Sequence, residues 1–407
     1  MLQALLRKKG RGVIHKPGNP FLMKALNRAT VIDILTKRGP ISQTQICELT
    51  GLSRATVSNI IKNLKSENLV CEVTRVASKG GRRQVLLNLN TEAGYVVGVD
   101  LGGTKMAGAV TDLSGRPLIK LRAPTGAEEG PEAVRANLMA FIEELVVKAE
   151  MVPEKVRGIG VGVPGVVLDG GVVQWAPALG WRNLAVAEEI ARKFPYPVFV
   201  ENDVNLLALG EYWYGIGQGT RSLVCLAVGT GLGAGIVLDG QVYTGAHAAA
   251  GEVCNLVADI SYLGRTYPGF GWLEGFVSGP ALARRYASLL EEMGKGPHSE
   301  VLPNVDAEVV FARAREGEPI ACRVVEEFTR YLALALVSIV AVLDPEMIVL
   351  GGGVSESADV FRDRLVELCS PVLQVMPRVE VSRLGVDAGV MGAVALALHN
   401  TKENPWR

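Results

Sequence analysis

The six cysteines of this 407-residue chain, Cys47, Cys71, Cys225, Cys254, Cys322 and Cys369, lie far apart, and no Cys-x-x-Cys pair occurs. That spacing gives neither a zinc knuckle nor a disulfide framework, so reduced core thiols are expected. Long apolar runs are also missing. The longest, Tyr331 to Leu343, ends at Asp344 and falls well short of the ~20 residues that span a bilayer. It reads as a buried core helix rather than a dimer face. Residues 1–12 carry basic side chains but no apolar core of signal-peptide length. The expectation is a soluble cytoplasmic protein that does not engage membranes. Net charge is absent too, because 42 Lys and Arg balance 42 Asp and Glu.

That balance is global and not local. Residues 1–90 hold 16 Lys and Arg against 4 Asp and Glu, a net +12, so the 317 residues that follow carry 26 against 38, a net −12. Clustered Lys and Arg gain free energy by releasing counterions from a phosphate backbone, which points the basic part toward double-stranded DNA. The acidic remainder should stay off nucleic acid. Length and a 48% hydrophobic content suggest two or three globular domains. The expected division is an N-terminal extension over 1–20, a DNA-binding domain over 21–90 and a further α/β part over 91–407.

In the basic part, apolar spacing through Leu26, Ile32 and Leu35 predicts a helix over 22–38, stopped by Gly39-Pro40. A second helix is predicted over 42–50, with Ser42 and Gln45 placed as a capping box and Gly51 permitting the turn. Ser53 then caps a third helix over 54–67, whose buried stripe is Val57, Ile60, Ile61 and Leu64. Arg54, Thr56, Ser58, Asn59 and Lys62 are left facing outward. This is helix-turn-helix spacing, in which the second helix presents short polar and basic side chains to base edges in the major groove. Residues 69–89 read as a two-stranded wing around Ser78-Lys79-Gly80-Gly81-Arg82-Arg83, with Arg82 and Arg83 at the tip reaching phosphate or the minor groove.

After Asn90 the pattern changes. A strand over 95–100 runs into Leu101-Gly-Gly-Thr-Lys105 and returns as a strand over 106–112, a hairpin tip and not a P-loop. Gly102 and Gly103 let backbone amides approach a phosphate, Thr104 and Lys105 add a hydroxyl and a cation, and Asp100 is placed to hold Mg²⁺ or its water. A second such loop, Gly229-Thr-Gly-Leu-Gly-Ala-Gly235, separates strands predicted over 223–228 and 236–238. Two strand-loop-strand elements suggest a duplicated architecture closing around a nucleotide. Between them a strand over 198–200 delivers Glu201-Asn-Asp-Val-Asn205, and a carboxylate there is suited to take a proton from an attacking hydroxyl.

Asp100-Leu-Gly-Gly-Thr-Lys105, Val163-Pro-Gly-Val166, Glu201-Asn-Asp-Val-Asn205, the 229–235 loop, Ala250-Gly-Glu252 and Leu350-Gly-Gly-Gly353 occur in this order. The combination resembles the ROK family of repressors, open reading frames and sugar kinases, and the basic domain ahead of it resembles the family's repressor branch. The resemblance implies an α/β fold in which a winged helix-turn-helix precedes a two-lobed, actin-like ATPase domain. It also implies Mg·ATP and a sugar in the cleft. Asp203 would be the catalytic base, Asn202, Glu252 and Glu274 sugar ligands together with Gly165 and Asn255, and Gly229, Thr230, Gly231, Gly233 and Gly351 to Gly353 nucleotide contacts.

The departures also carry expectations. The family's His and three zinc-holding Cys fall on Gly251-Glu-Val-Cys-Asn255 and Arg265-Thr-Tyr-Pro-Gly-Phe-Gly-Trp-Leu-Glu274, where Asn255 and Trp272 stand in for a histidine and a cysteine. Cys254 alone cannot supply four tetrahedral ligands, so no structural zinc and no other metal ligand set is expected. Tyr267, Phe270 and Trp272 are expected to hold the loop by packing. The family's Asn-Leu-Gly-Trp stretch reads Ala178-Leu-Gly-Trp181, one amide fewer for a sugar hydroxyl. Two functions fit these residues. One is a transcription repressor, a homodimer or higher oligomer, released from its operator by a carbohydrate-type effector. The other is an active ATP-dependent sugar kinase carrying a DNA-binding domain. The +12 domain favours the repressor.

Overall fold

A computed structural model describes residues 27–28, 30–32, 34–35, 38–78, 81–150, 152–267, 271–292 and 305–400, with only the backbone of 74–78 and 81–84. The chain separates into two compact units, the first holding the described residues up to Ala93 together with His399 and Asn400, the second Gly94 to Leu398.

In the first unit the described residues 27, 28, 30–32, 34, 35 and 38 are helical (α1), and Val31, Ile32 and Leu35 are fully buried. The rest of the predicted first helix lies outside the described residues. A short strand β1 (Ile41–Ser42) leads into α2 (Gln43–Thr50). Ser42 is its N-cap, the reciprocal capping box with Gln45 forms, and Gly51 closes it at φ 69. Helix α3 (Arg54–Ser66) buries the predicted stripe of Val57, Ile60, Ile61 and Leu64. Strands β2 (Val70–Ser78) and β3 (Gly81–Leu89) follow, and β1 joins them through Ile41↔Leu87, giving sheet order β1-β3-β2. The third strand is too short to leave a periodic signal in the sequence. Arg82 and Arg83 are residues of β3 and not of the wing tip, because the strands continue to the pair Ser78↔Gly81. Lys79 and Gly80 lie outside the described residues.

The second unit repeats one topology twice. Strands β4 (Tyr95–Leu101), β5 (Lys105–Asp112) and β6 (Pro117–Pro124) form a meander, followed by α4 (Pro131–Lys148) and β7 (Val156–Val163). Then come β8 (Val166–Leu168), β9 (Val172–Ala176), β10 (Trp181–Ala185), α5 (Val186–Lys193), β11 (Val198–Asn202) and α6 (Asp203–Tyr214). The first large sheet is ordered β11-β7-β4-β5-β6, with β7 and β11 added in parallel, and β8 to β10 form a small separate sheet. The second half opens with the meander β12 (Ser222–Val228), β13 (Leu232–Leu238) and β14 (Gln241–Val242). It continues through α7 (Gly279–Glu292), α8 (Ala307–Arg315), α9 (Pro319–Leu343), β15 (Met347–Gly351), α10 (Arg362–Cys369), β16 (Arg378–Val381) and α11 (Ala388–Asn400). Its sheet is ordered β14-β13-β12-β15-β16, again a meander with two parallel strands added on the first strand's free side. The duplicated architecture expected from two strand-loop-strand elements is therefore present.

The predicted apolar run ends α9, where Leu332, Ala335, Leu336, Ile339 and Val340 enter the core while Val342 stays 80% exposed. Of the cysteines, Cys225, Cys254 and Cys369 are buried, Cys47 is half-buried, and Cys71 and Cys322 are exposed. Only the first three are core thiols. No helix among the described residues is long and apolar enough to cross a membrane.

Candidate functional site

Two sets of residues deserve separate description, one in each unit. On α3, Arg54, Ser58, Asn59 and Lys62 are exposed, as the spacing predicts. Ser53 and Thr56 are engaged locally. The Ser53 Oγ accepts the Thr56 backbone N–H at 3.1 Å and lies 2.9 Å from the Thr56 hydroxyl, so this pair holds the helix start and Thr56 is half-buried rather than outward. The four remaining side chains stand on one helix that begins at a fixed cap. Arg82 and Arg83 have no described side chains.

In the second unit the cleft residues gather where β4, β7 and β11 end. Asp100 and Glu201 both pair in register with Gly162 on the strand between them. A Cβ on Gly162 would lie 2.9 Å from Leu206 Cδ1 and 3.3 Å from Asp100 Oδ1, so the glycine makes room for α6 and for the Asp100 carboxylate. Asn202, not Asp203, is the N-cap of α6, its Oδ1 accepting the Asn205 N–H at 3.0 Å. Its Nδ2 donates to the Gly165 carbonyl at 2.9 Å and to Asp203 Oδ1 at 3.1 Å. The Asn202 side chain is thus engaged with Asn205, the Gly165 carbonyl and Asp203. Gly165 sits at φ 104, where its backbone passes too close to the Trp175 carbonyl for any Cβ.

Burial raises the proton affinity of these acids. Asp203 is pushed up to about 7, first by desolvation, then by the negative charge of Asp100, with Glu252 adding and the Val204 N–H opposing. Desolvation pushes Asp100 up to about 6 and also raises Glu201, whose Oε1 accepts from the Asn202 N–H and Asn205 Nδ2. A carboxylate held near neutrality is matched to accepting a proton from a hydroxyl.

The glycine loops differ from each other. The first is a tight turn closed by the Gly102 N–H on the Lys105 carbonyl at 3.0 Å, with Thr104 and Lys105 exposed. Thr125, which the sequence reading missed, is fully buried and clamps it, its hydroxyl donating to the Gly102 carbonyl at 2.7 Å. The second loop is only Gly229, Thr230 and Gly231, since β13 already starts at Leu232. Gly233 is a strand residue set against Val204, at 3.2 Å for an added Cβ, and Gly235 meets the Val204 carbonyl. Both glycines admit α6 to the sheet and are removed from the loop. Gly229 accepts the Gly279 N–H at the start of α7 at 2.8 Å. Ala227 pairs with Gly351, which brings Gly352 and Gly353 to the same sheet end. Gly352 has φ 79 and Gly353 has open space around its missing Cβ. Gly279 is a further residue of this cradle that loop reasoning overlooked, although Ser278-Gly-Pro280 is a helix-start signal.

Glu274 Oε2 accepts the Leu232 N–H at 3.0 Å, directly beside Gly231. Glu252 and Asn255 are exposed, and Cys254 Sγ lies 3.5 Å from Glu252 Oε2. The residues present do not fit a structural zinc, because Trp272 occupies the core at 5% exposure. It packs against Tyr262, Phe276 and Tyr331 with ring centroids 4.8, 4.7 and 5.6 Å away. Tyr267 donates its hydroxyl to the Tyr262 carbonyl at 2.5 Å. Phe270 lies outside the described residues. Ala178 lies beside Gly103, 3.2 Å from where its Cβ would be, and Trp181 is a core residue whose indole N–H donates to the Pro131 carbonyl.

Comparison with known proteins gives consistent matches. A model of the ROK family matches residues 96–400, and a model of the MarR family matches residues 25–84. The xylose repressor of Caldicellulosiruptor bescii is 31% identical over 399 residues, covering 95% of this chain and 99% of that protein. Among solved structures, a ROK-family transcriptional regulator, a homologue of the E. coli Mlc protein, matches with a TM-score of 0.79 at 27% identity, covering 92% of this chain and 96% of that one. A ROK-family glucokinase from Streptomyces griseus, in complex with glucose and AMPPNP, matches with a TM-score of 0.64 at 28% identity, over 74% of this chain and 99% of that one.

Proposed function

Since the chain belongs to the ROK family and sets a winged helix-turn-helix unit ahead of a sugar-kinase fold, we propose that it is a sugar-responsive transcriptional repressor. The observation that carries this reading is the coexistence of two features on one chain. Arg54, Ser58, Asn59 and Lys62 project from a capped α3, and Asp203 keeps its place at the head of α6 beside Asp100. A plain kinase has no use for the first. In this reading α3 enters the major groove of an operator, two copies of the chain read two half-sites, and a carbohydrate bound near Asp203, Glu252 and Glu274 shifts the balance between DNA-competent and released arrangements. Such coupling requires only that effector affinity differ between the two arrangements. With Ala178 in place of an amide, a hexose would lose a partner worth ~1–3 kcal/mol. The relative named for xylose makes a pentose the first sugar to try. The test is retention of genomic DNA fragments by the protein, followed by release with a panel of monosaccharides. Failure to retain DNA, or retention indifferent to every sugar, would sink the proposal.

A second reading has its own support in the raised Asp203 and the retained 229–231 loop. The glycine cradle at 229–231, 279 and 351–353 fits a nucleotide phosphate chain, and bound Mg·ATP would supply the phosphoryl group. Asp203 would take the proton from the sugar hydroxyl, while Asp100 lies where a cation can be held. Sugar-phosphate formation, followed by mass spectrometry with Asp203→Asn as control, decides whether the cleft turns its effector over or only senses it.

A further inference from the structure

Helix α6 carries Asn202 and Asp203 at its head and packs on the second sheet, where Gly233 and Gly235 admit Val204 and Ala208. Helix α11 packs on the first sheet, where Gly98 lies 2.8 Å, for an added Cβ, from the Val390 carbonyl, and Gly160 meets the Ala393 carbonyl. The two helices cross backbone to backbone. Gly210 faces the Ala388 carbonyl, and Gly392 faces the Leu206 carbonyl, with no room for a Cβ on either. At the head of α11, a Cβ on Gly389 would lie 2.6 Å from the Asp100 Cγ. One crossing therefore joins the two sheets, and it places the head of α11 against Asp100, whose charge also reaches Asp203 at the head of α6. Apolar side chains pack around this crossing, Leu206 and Leu209 of α6 with Ala393 and Ala395 of α11, a contact without directional bonds.

Glu211 adds directional hydrogen bonds to this contact. It is fully buried in α6, one residue past Gly210. Its Oε1 accepts from the Ser382 hydroxyl at 2.6 Å and from the Leu384 N–H at 2.8 Å, and its Oε2 accepts from the Ile216 N–H at 2.9 Å. Ser382 in turn accepts the Gly385 N–H at 2.9 Å, and its own N–H donates to the Leu350 carbonyl. The segment that feeds α11 is thus fastened to α6 by one side chain.

We propose that Glu211 is a positioning residue for the cleft, a clasp that fixes the α6/α11 crossing and with it the placement of Asp203 relative to Asp100. Its consequence for ligands rests on the function proposed above, but the clasp itself does not. Glutamine is the informative replacement. It offers one acceptor oxygen in place of two, and its NH₂ must face either the Ile216 N–H or the Leu384 N–H, so one end is repelled in either orientation.

The test is native-state hydrogen exchange on the full-length, ligand-free chain. Wild type is compared with Glu211→Gln, with Ser382→Ala, which removes one of the three bonds, and with Val325→Ala as a core control for general destabilisation. The expected result for Glu211→Gln is joint acceleration of about tenfold or more in peptides covering 203–210 and 386–394. Ser382→Ala should give a smaller acceleration in the same two peptides, and Val325→Ala no such pairing. Acceleration confined to 214–218 and 382–385, or equal acceleration throughout the unit, would overturn the proposal. If Glu211→Gln does not fold, Ser382→Ala decides by the same criterion. A parallel arm with Mg·AMPPNP separates the two claims: absence of nucleotide-dependent protection in wild type counts against the proposed nucleotide site, while the ligand-free comparison still judges the clasp.

Discussion

In the winged unit the polar side chains of α3 stand in water above the buried stripe of Val57, Ile60, Ile61 and Leu64. In the α/β unit the central acids Asp100 and Asp203 are instead half-buried at the strand ends, where desolvation raises both. The first arrangement suits a long polyanion that must be met across an open face, because exposed cations keep their charge and release counterions on binding. The second suits a small ligand, because desolvation moves a carboxylate's proton affinity into the neutral range and strengthens each hydrogen bond it makes. One chain thus uses charge in two ways, and the glycines mark the difference. In the winged unit Gly51 serves a turn and Gly39 a close approach to the Leu35 carbonyl, while in the α/β unit such approaches, where a methyl group could not fit, are many.

The sharpest way to break this comparison is to remove one side of it. Deleting residues 1–90 should abolish operator binding, a loss of about 10³-fold or more, since specific recognition exceeds non-specific binding by at least that factor. The remaining unit should keep a cooperative unfolding transition. Operator affinity retained in a gel-shift titration of the truncated chain would move the reading head elsewhere.

The buried acids make a pH prediction whose sign can be worked out. Asp203 rises from 3.8 to about 7 on folding, so between those values the folded state holds a proton that the unfolded state has released. Its contribution therefore favours folding at low pH and is lost as pH climbs from about 4 to about 7. Asp203→Asn cannot ionise and should be more stable than wild type at pH 8 and no different near pH 4. The gain has an upper bound of about 4 kcal/mol, each tenfold change in proton affinity being worth about 1.4 kcal/mol. Urea unfolding without divalent cations measures it, and a stability difference that does not vary with pH would contradict the assignment.

Smaller effects sharpen the exposed side. Arg54→Ala should weaken operator binding by ~1–3 kcal/mol while leaving non-specific binding nearly unchanged, as for a base-reading side chain. Equal losses on both kinds of DNA would place Arg54 on phosphate. Smallest of all is the effect of a chelator. With Trp272 filling the core beside Tyr262, Phe276 and Tyr331, EDTA should leave the unfolding midpoint where it was. A fall in midpoint, restored by zinc, would show that the aromatic cluster does not replace a metal.

The winged unit was legible because its signals are local. A capping box spans four residues, a buried stripe repeats every three or four, and Gly51 follows directly on the helix it ends. The ordered motifs of the α/β unit were legible for the same reason, most of them being a strand end and its loop, with Ala250-Gly-Glu252 in a turn segment. What was misread depends on partners distant in sequence. Gly233 and Gly235 look like loop glycines until Val204 is packed against them, and Arg82 and Arg83 look like a turn until β2 and β3 are paired out to Ser78 and Gly81. The bonds of the Asn202 amide to Gly165 and Asp203 are likewise invisible until the strands are assembled.

Residue order and composition alone carry the division into a basic and an acidic part, the helix-turn-helix with its caps and the order of the two glycine loops. Charge balance, periodicity and capping are properties of neighbouring residues, so no fold is needed to read them. Only the tertiary structure decided that Thr125 clamps the first loop, that Gly279 joins the second, and that Glu211 reaches Ser382 and Leu384 some 171 and 173 residues away. A buried carboxylate leaves no periodic trace in the chain, because what makes it stable is the set of donors that folding brings to it.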